Sequence, residues 1–183
     1  MKKKDAILAA ICGLSVGWIA VDFFGEKGLP FFIIFPILSI IGLWICELIG
    51  KKYLFVKQAG KFGLAGAFAD VVDIKIFQLL FLFAPYSLLF KFISFIAGTF
   101  VKYFSDKYWT FEKNDKLGMH KEMAKFFVVA ITGSLLNVAS FYFFGKINIG
   151  IPQRLWVELS IILAAIVSGV WNFLGYKFIV FKK

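Results

Sequence analysis

One histidine and two cysteines are all that 183 residues offer in the way of soft or imidazole ligands. His120 lies in a charged stretch, while Cys12 and Cys46 fall in separate apolar runs with no metal-ligand or catalytic spacing. A metal centre and a catalytic thiol therefore find no support, and both cysteines read as small, reduced, buried apolar residues. Glycine-rich phosphate loops and nucleotide motifs are also missing. The 16 glycines sit mostly inside apolar runs, where small residues let helices approach closely. No connecting segment is long enough for a soluble catalytic domain, and the longest, Lys107 to Met123, reads as a charged loop. The sequence thus points away from an enzyme, and it implies no catalytic residue, metal or cofactor.

What is present is oil. Hydrophobic residues make up 61% of the chain and aromatics 20%, well above the 45 to 50% apolar share usual in soluble domains. Mean hydropathy is +0.84. A spanning helix needs roughly 20 mostly apolar residues, and six stretches qualify: Ala6 to Phe24, Leu29 to Ile49, Phe62 to Phe83, Ser87 to Phe104, Ala124 to Phe144 and Leu155 to Tyr176. The expected class is all-α, a polytopic membrane bundle of six transmembrane helices. The first run follows MKKKD and has the look of a signal peptide. It is read as a helix, because no small-residue cleavage site follows and a second apolar run comes at once.

Basic residues set the expected orientation, since Lys and Arg favour the cytoplasmic side. Segments around Lys2 to Lys4, Lys51 to Lys61, Lys107 to Lys125 (with Lys116) and Lys177 to Lys183 carry most of the 21 basic residues. Lys27, Lys91, Lys146 and Arg154 fall on the other side. Both termini are expected in the cytoplasm. The net charge of +10 is then explained by basic loops beside anionic headgroups, with no need for nucleic acid.

Two segments, 61–111 and 125–181, read as one two-helix unit written twice. Lys61, Phe62, Gly66 and Asp73 fall opposite Lys125, Phe126, Ala130 and Asn137. The ending KYFSDKYWTFEK falls on NFLGYKFIVFKK, so Lys102, Lys107 and Phe111 match Asn172, Lys177 and Phe181. Each unit starts and ends on the same side, which predicts a parallel repeat about an axis near the membrane normal, with a site between the copies. Residues 1–55 form an N-terminal transmembrane hairpin, either a cap that enlarges the bundle or a degenerate third copy. For the third copy, IGKKYLF resembles GYKFIVF and places Glu47 at the position of Lys102.

Ionisable groups inside these spans are the candidate site. Asp70 and Asp73 lie three apart on one helix face, with Lys75 two residues on and pointing elsewhere. A charge at the bilayer centre costs at least about 2.5 to 3.5 kcal/mol, so such groups face a bundle interior or a wet cavity. Substrate handling and a structural ion pair, for instance Asp73 with Lys102 or a protonated Asp73 with Asn137, both fit the pattern. Lys102 either snorkels to the headgroups or, with Tyr103, Lys107, Tyr108 and Trp109, seats a lipid phosphate and its sugar. Trp109 also fits as a plain interfacial anchor.

The openings KFGLAGAFADVVD and KFFVVAITGSLLN, with the closings TFVKYFSDKYWTF and SGVWNFLGYKFIVF, resemble the GtrA-like family of small membrane proteins in cell-surface polysaccharide synthesis. The resemblance covers Lys61 to Phe181, and the four-span domain would occupy 56–183. Lys102 stands where the family's closing motif carries Asn, and Ile179 replaces its Trp. The resemblance implies translocation, or flipping, of a polyprenyl-phosphate-linked monosaccharide across the cell membrane for a glycosyltransferase. The main alternative it implies is a non-catalytic anchor or adaptor for such an enzyme, since the domain also occurs fused to dolichol-phosphate-mannose-type synthases. On the flipping reading, Lys75, Lys102 and Lys107 seat the phosphate, Lys177 matches Lys107, and Asp70, Asp73, Asn137 and Asn172 bond the sugar. A proton-coupled exporter of apolar cations would use Asp70 or Asp73, but Lys75 and Lys102 would repel its substrate. Six helices are few to enclose a polar headgroup, which suggests a homodimer.

Overall fold

The structure is a computed structural model that describes residues 1–83, 87–115, 117–147, 150 and 152–182, the side chains of Ser87 and Arg154 excepted. Lys116, Lys183 and the Arg154 side chain, counted among the basic residues above, lie outside the described residues. Among the described residues every regular element is helical. Six long helices run α1 (Lys3–Phe24), α2 (Phe31–Gly50), α3 (Leu54–Phe81), α4 (Ser87–Ser105), α5 (Met119–Gly145) and α6 (Gln153–Gly175). A 3-10 turn, Gly25–Gly28, joins α1 to α2. Single π turns, Asp106–Thr110 and Tyr176–Val180, close α4 and α6.

Five of the helical segments are long and apolar enough to cross a membrane. The remaining helix, α3, has the length, 28 residues or about 42 Å at 1.5 Å per residue. Its apolar run is interrupted by Asp70, Asp73 and Lys75, and that charge alone sets it apart from the others. The helices also outrun their apolar cores. α3 begins at Leu54 and α5 at Met119, because lysines and glutamates at a helix end continue the backbone ladder although they break the hydropathy pattern. The charged loop expected over residues 107–123 is correspondingly shorter, running only from the end of the π turn at Thr110 to Met119.

The chain divides into two compact units, Met1–Asn114 and Asp115–Lys183. In the first, α1 packs along α2, both pack on α3, and α3 pairs with α4. The N-terminal hairpin is therefore built into this unit. In the second, α5 pairs with α6. The core of the first unit is made of small side chains around one large ring: Ala9, Cys12, Leu43 and Ala65 against Trp109. Among lipid-solvated helices no hydrophobic force favours burial, so close backbone approach and dispersion carry the packing.

Gly13 and Gly17 show that approach most clearly. A Cβ on Gly13 would lie 2.5 Å from the backbone of Pro36, and one on Gly17 would lie 2.9 Å from the Phe31 carbonyl. Together they form a small-xxx-small face on α1 against which α2 lies directly. Gly42, with nothing near its absent side chain, provides the contrast. We expect Gly13→Leu to force α1 and α2 apart and to cost about 1 to 3 kcal/mol, read as a lower midpoint of thermal unfolding in detergent, while Gly42→Ala leaves the midpoint unchanged.

Candidate functional site

Unit Met1–Asn114 carries ion pairs at successive depths along α3, made with α1, with α4 and with the segment after α4. The first lies at the end where α1 and α3 begin and α4 finishes. Lys61, 2% exposed, reaches Asp5 of α1 at 3.0 Å and Glu112 beyond the π turn at 3.0 Å. The Trp109 indole N–H donates to the same Asp5 carboxylate at 2.8 Å. One buried ammonium thereby ties three chain segments together. Glu112 adopts φ +52, a left-handed conformation uncommon for a non-glycine residue, and its pair with Lys61 holds it there. The hydrogen bond from Lys61 keeps the Glu112 carboxyl below its ordinary value of 4.5.

One turn deeper, Lys102 of α4 donates to the Phe62 carbonyl at 2.8 Å and pairs with Asp106 at 3.2 Å. Its ammonium sits 3.6 Å from the centre of the Phe62 ring, a cation–π contact, and directly over Gly66. Thr110 donates its hydroxyl to Asp106. Lys102 thus turns inward and does not snorkel. It also acts electrostatically on Asp70.

Further along α3, Asp73 accepts from Lys91 of α4 at 2.6 Å, with Lys91 about half exposed (53%) and Asp73 17% exposed. The second Asp73 oxygen is buried and has no hydrogen-bond partner. Gly98 lets α4 come this close, since a Cβ there would lie 3.0 Å from that of Asp73. Lys75 points to another side of α3, as its spacing implies. It pairs with Asp22 of α1 and lies 4.2 Å from the centre of the Trp18 ring.

Of the residues singled out in the sequence, Asp73 and Lys102 lie between α3 and α4, Lys75 faces α1, and Asp70 is exposed. Lys107 and Tyr103 are fully buried, with the lysine 3.4 Å from the tyrosine hydroxyl. Trp109 is 6% exposed and bound to Asp5, which leaves Phe104 and Tyr108 as the exposed aromatics of that segment. In unit Asp115–Lys183, Asn137 donates to Ser168 at 3.2 Å. Asn172 fills a notch on Gly133, where any side chain would collide with it at 2.1 Å, and its buried carbonyl oxygen has no partner. Lys177 lies beside the Phe173 and Phe178 rings.

Asp5, Asp22, Lys61, Lys91, Asp106 and Glu112 escaped the sequence reading as site residues. One carried a local signal: Asp106 follows Lys102 at i+4, the spacing that places side chains together on a helix. The others are partners across helices, and no spacing along the chain announces them.

The profile of the GtrA/DPMS transmembrane domain family matches residues 61–181. The chain is a membrane protein of that family, and the helical hairpin before residue 61 lies outside the matched segment. Comparisons with curated proteins and with solved structures give no match.

Removing one partner from a buried ion pair strands the other, a loss of about 3 to 5 kcal/mol. Lys61→Met should show it, and Lys61→Met combined with Asp5→Asn should cost clearly less than the two single changes added together. A double-mutant cycle on unfolding in detergent measures this coupling. Glu112 gives a pH test. Because its carboxyl titrates lower in the folded protein than in the unfolded chain, its contribution is complete above pH 4.5 and is lost as pH falls below that value through the folded pKa. Glu112→Gln should flatten stability in that window.

Proposed function

We propose that the protein carries a polyprenyl-phosphate-linked monosaccharide across the cell membrane for modification of a surface polysaccharide or glycan. The observation that carries this reading is the run of ion pairs along α3 from Lys61 to Lys75, about 21 Å of helix axis. A lipid phosphate can take the place of a carboxylate at each ammonium in turn, so the charge need never stand alone in hydrocarbon. Lys102 and then Lys91 are the seats facing one helix pair. The half-exposed Lys91 provides an opening where a headgroup can enter sideways while its prenyl chain stays in lipid, and the buried spare oxygen of Asp73 behind it can then accept from a sugar hydroxyl.

In this reading α3 also crosses the membrane and brings the spans to six, both termini are cytoplasmic, and the 61–111 and 125–181 segments are parallel copies of one unit. The two π turns support the duplication. They fall at 106–110 and 176–180, the register that aligns the two closing motifs, and each closes with the same bond, Phe111 N–H to Asp106 and Phe181 N–H to Tyr176. Asn137, Asn172 and Lys177 would serve in the second copy, where the unpartnered Asn172 oxygen can accept from a sugar hydroxyl. Trp109 and Lys107, enclosed as they are, hold the end of the path in shape. A homodimer would complete the enclosure of the headgroup.

A second reading has its own observation. Lys61, Lys75, Lys91 and Lys102 each already own a carboxylate, which is what a static membrane anchor for a glycosyltransferase needs. The two diverge in reconstituted vesicles. For the carrier, Lys102→Ala and Asp73→Asn should each slow translocation of a fluorescent polyprenyl-phosphate sugar, since a lost charged contact is worth about 1.5 to 3 kcal/mol, or roughly ten- to a hundredfold. For the anchor, no translocation occurs in wild-type vesicles, and the protein instead copurifies with a glycosyltransferase that tolerates both substitutions.

A further inference from the structure

A cavity of about 610 Å³ opens where α1 begins, α2 ends and α3 begins, within the size range of ligand pockets. Lys2, Lys51 and Lys57 line it, with Glu47, Trp44 and Leu54. All of these residues precede the family segment at residue 61. The cavity is therefore built by the hairpin and the first turn of α3, outside the family segment, and is independent of the carrier proposal.

Its construction is specific at one point. Gly50 has no side chain where a Cβ would come within 2.6 Å of the Lys57 Cβ, so the lysine stem lies flat against the end of α2. That seat brings its ammonium to 3.6 Å from Glu47. The Glu47 carboxylate, 12% exposed, is shared between that ammonium and the Met1 amino group, 3.5 Å away on its other oxygen, and with Lys2 and Lys51 also lining the cavity a surplus of positive charge remains. Beside the polar part stand Trp44 at 49% and Leu54 at 63% exposure. An excess of ammonium groups next to exposed apolar side chains suits a ligand with an anionic head and an oily tail.

We infer that the hairpin holds an anionic phospholipid there, with its phosphate between Lys51, Lys57 and Lys2 and its acyl chains along Trp44 and Leu54. Glu47 weakens the site by competing for Lys57. The lipid would fasten the hairpin to the membrane surface at the end where Lys61 locks it to α3.

The test uses the full chain in zwitterionic detergent, titrated with phosphatidylglycerol, phosphatidylcholine or inorganic phosphate and followed by native mass spectrometry. Phosphatidylglycerol should bind in preference to the other two. Each lysine near a phosphate contributes about 1 kcal/mol, or roughly fivefold, so Lys51→Gln with Lys57→Gln should weaken phosphatidylglycerol about twenty-fivefold. Glu47→Gln should tighten it, and this variant keeps the test valid if the double lysine variant fails to fold. Lys121→Gln, on the other unit, should change nothing. Equal binding of wild type and the double variant overturns the inference. So does weaker binding by Glu47→Gln, a loss with Lys121→Gln as large as with the paired lysines, or inorganic phosphate binding as tightly as the lipid.

Discussion

An ionised side chain in hydrocarbon has to bring its counter-charge with it, and α3 concentrates that demand in one helix. Lys61, Asp73 and Lys75 each draw a partner from a neighbour: Asp5 and Asp22 from α1, Lys91 from α4. The assembly of unit Met1–Asn114 follows from these obligations. Apolar side chains facing lipid gain nothing from one another beyond packing, so the register of α1 and α4 on α3 is fixed by where the charges meet. Glycine and alanine then permit the distances the pairs require, as Gly98 does beside Asp73.

The hairpin belongs to this scheme more closely than its place outside the family segment suggests. Its first helix supplies carboxylates at both ends of α3, Asp5 near the start and Asp22 toward the far end. A single acidic residue also bridges α1 to the segment after α4, since Asp5 accepts from the Trp109 indole. A helix outside the family segment thus neutralises two lysines of α3, the first helix of that segment. Lys61 and Lys75 would otherwise stand among apolar side chains with no charge from α1 to meet them.

The helices were legible because each needs a long apolar run, and the six runs are separated by glycine, proline and lysine. Their ends were not, since Leu54 and Met119 start helices well inside charged sequence. Asp70, Asp73, Lys75 and Lys102 stood out as charges in oil, a signal that composition alone provides. Their partners did not stand out. Asp22 and Lys91 sit near the ends of apolar runs, where a charge is ordinary, and only the packing of α1 and α4 on α3 turns them into counter-ions. Trp109 is the reverse case: an aromatic beside lysines at a helix end reads as an interfacial anchor, yet its ring is core and its N–H bonds a buried acid. The i+4 spacing of Lys102 and Asp106 was visible in the sequence, but it took the inward turn of Lys102 to give it meaning.

On the carrier proposal, the α3 pairs are exchangeable seats for a phosphate and not only fasteners. The direct measurement is the translocation rate of a polyprenyl-phosphate sugar in vesicles containing the doubly neutral variant Asp73→Asn, Lys91→Met. Removing both partners leaves no stranded charge, so the fold should persist. A carrier of this kind should still fold correctly, with translocation slowed roughly tenfold or more. A folded variant that translocates at the wild-type rate would contradict it.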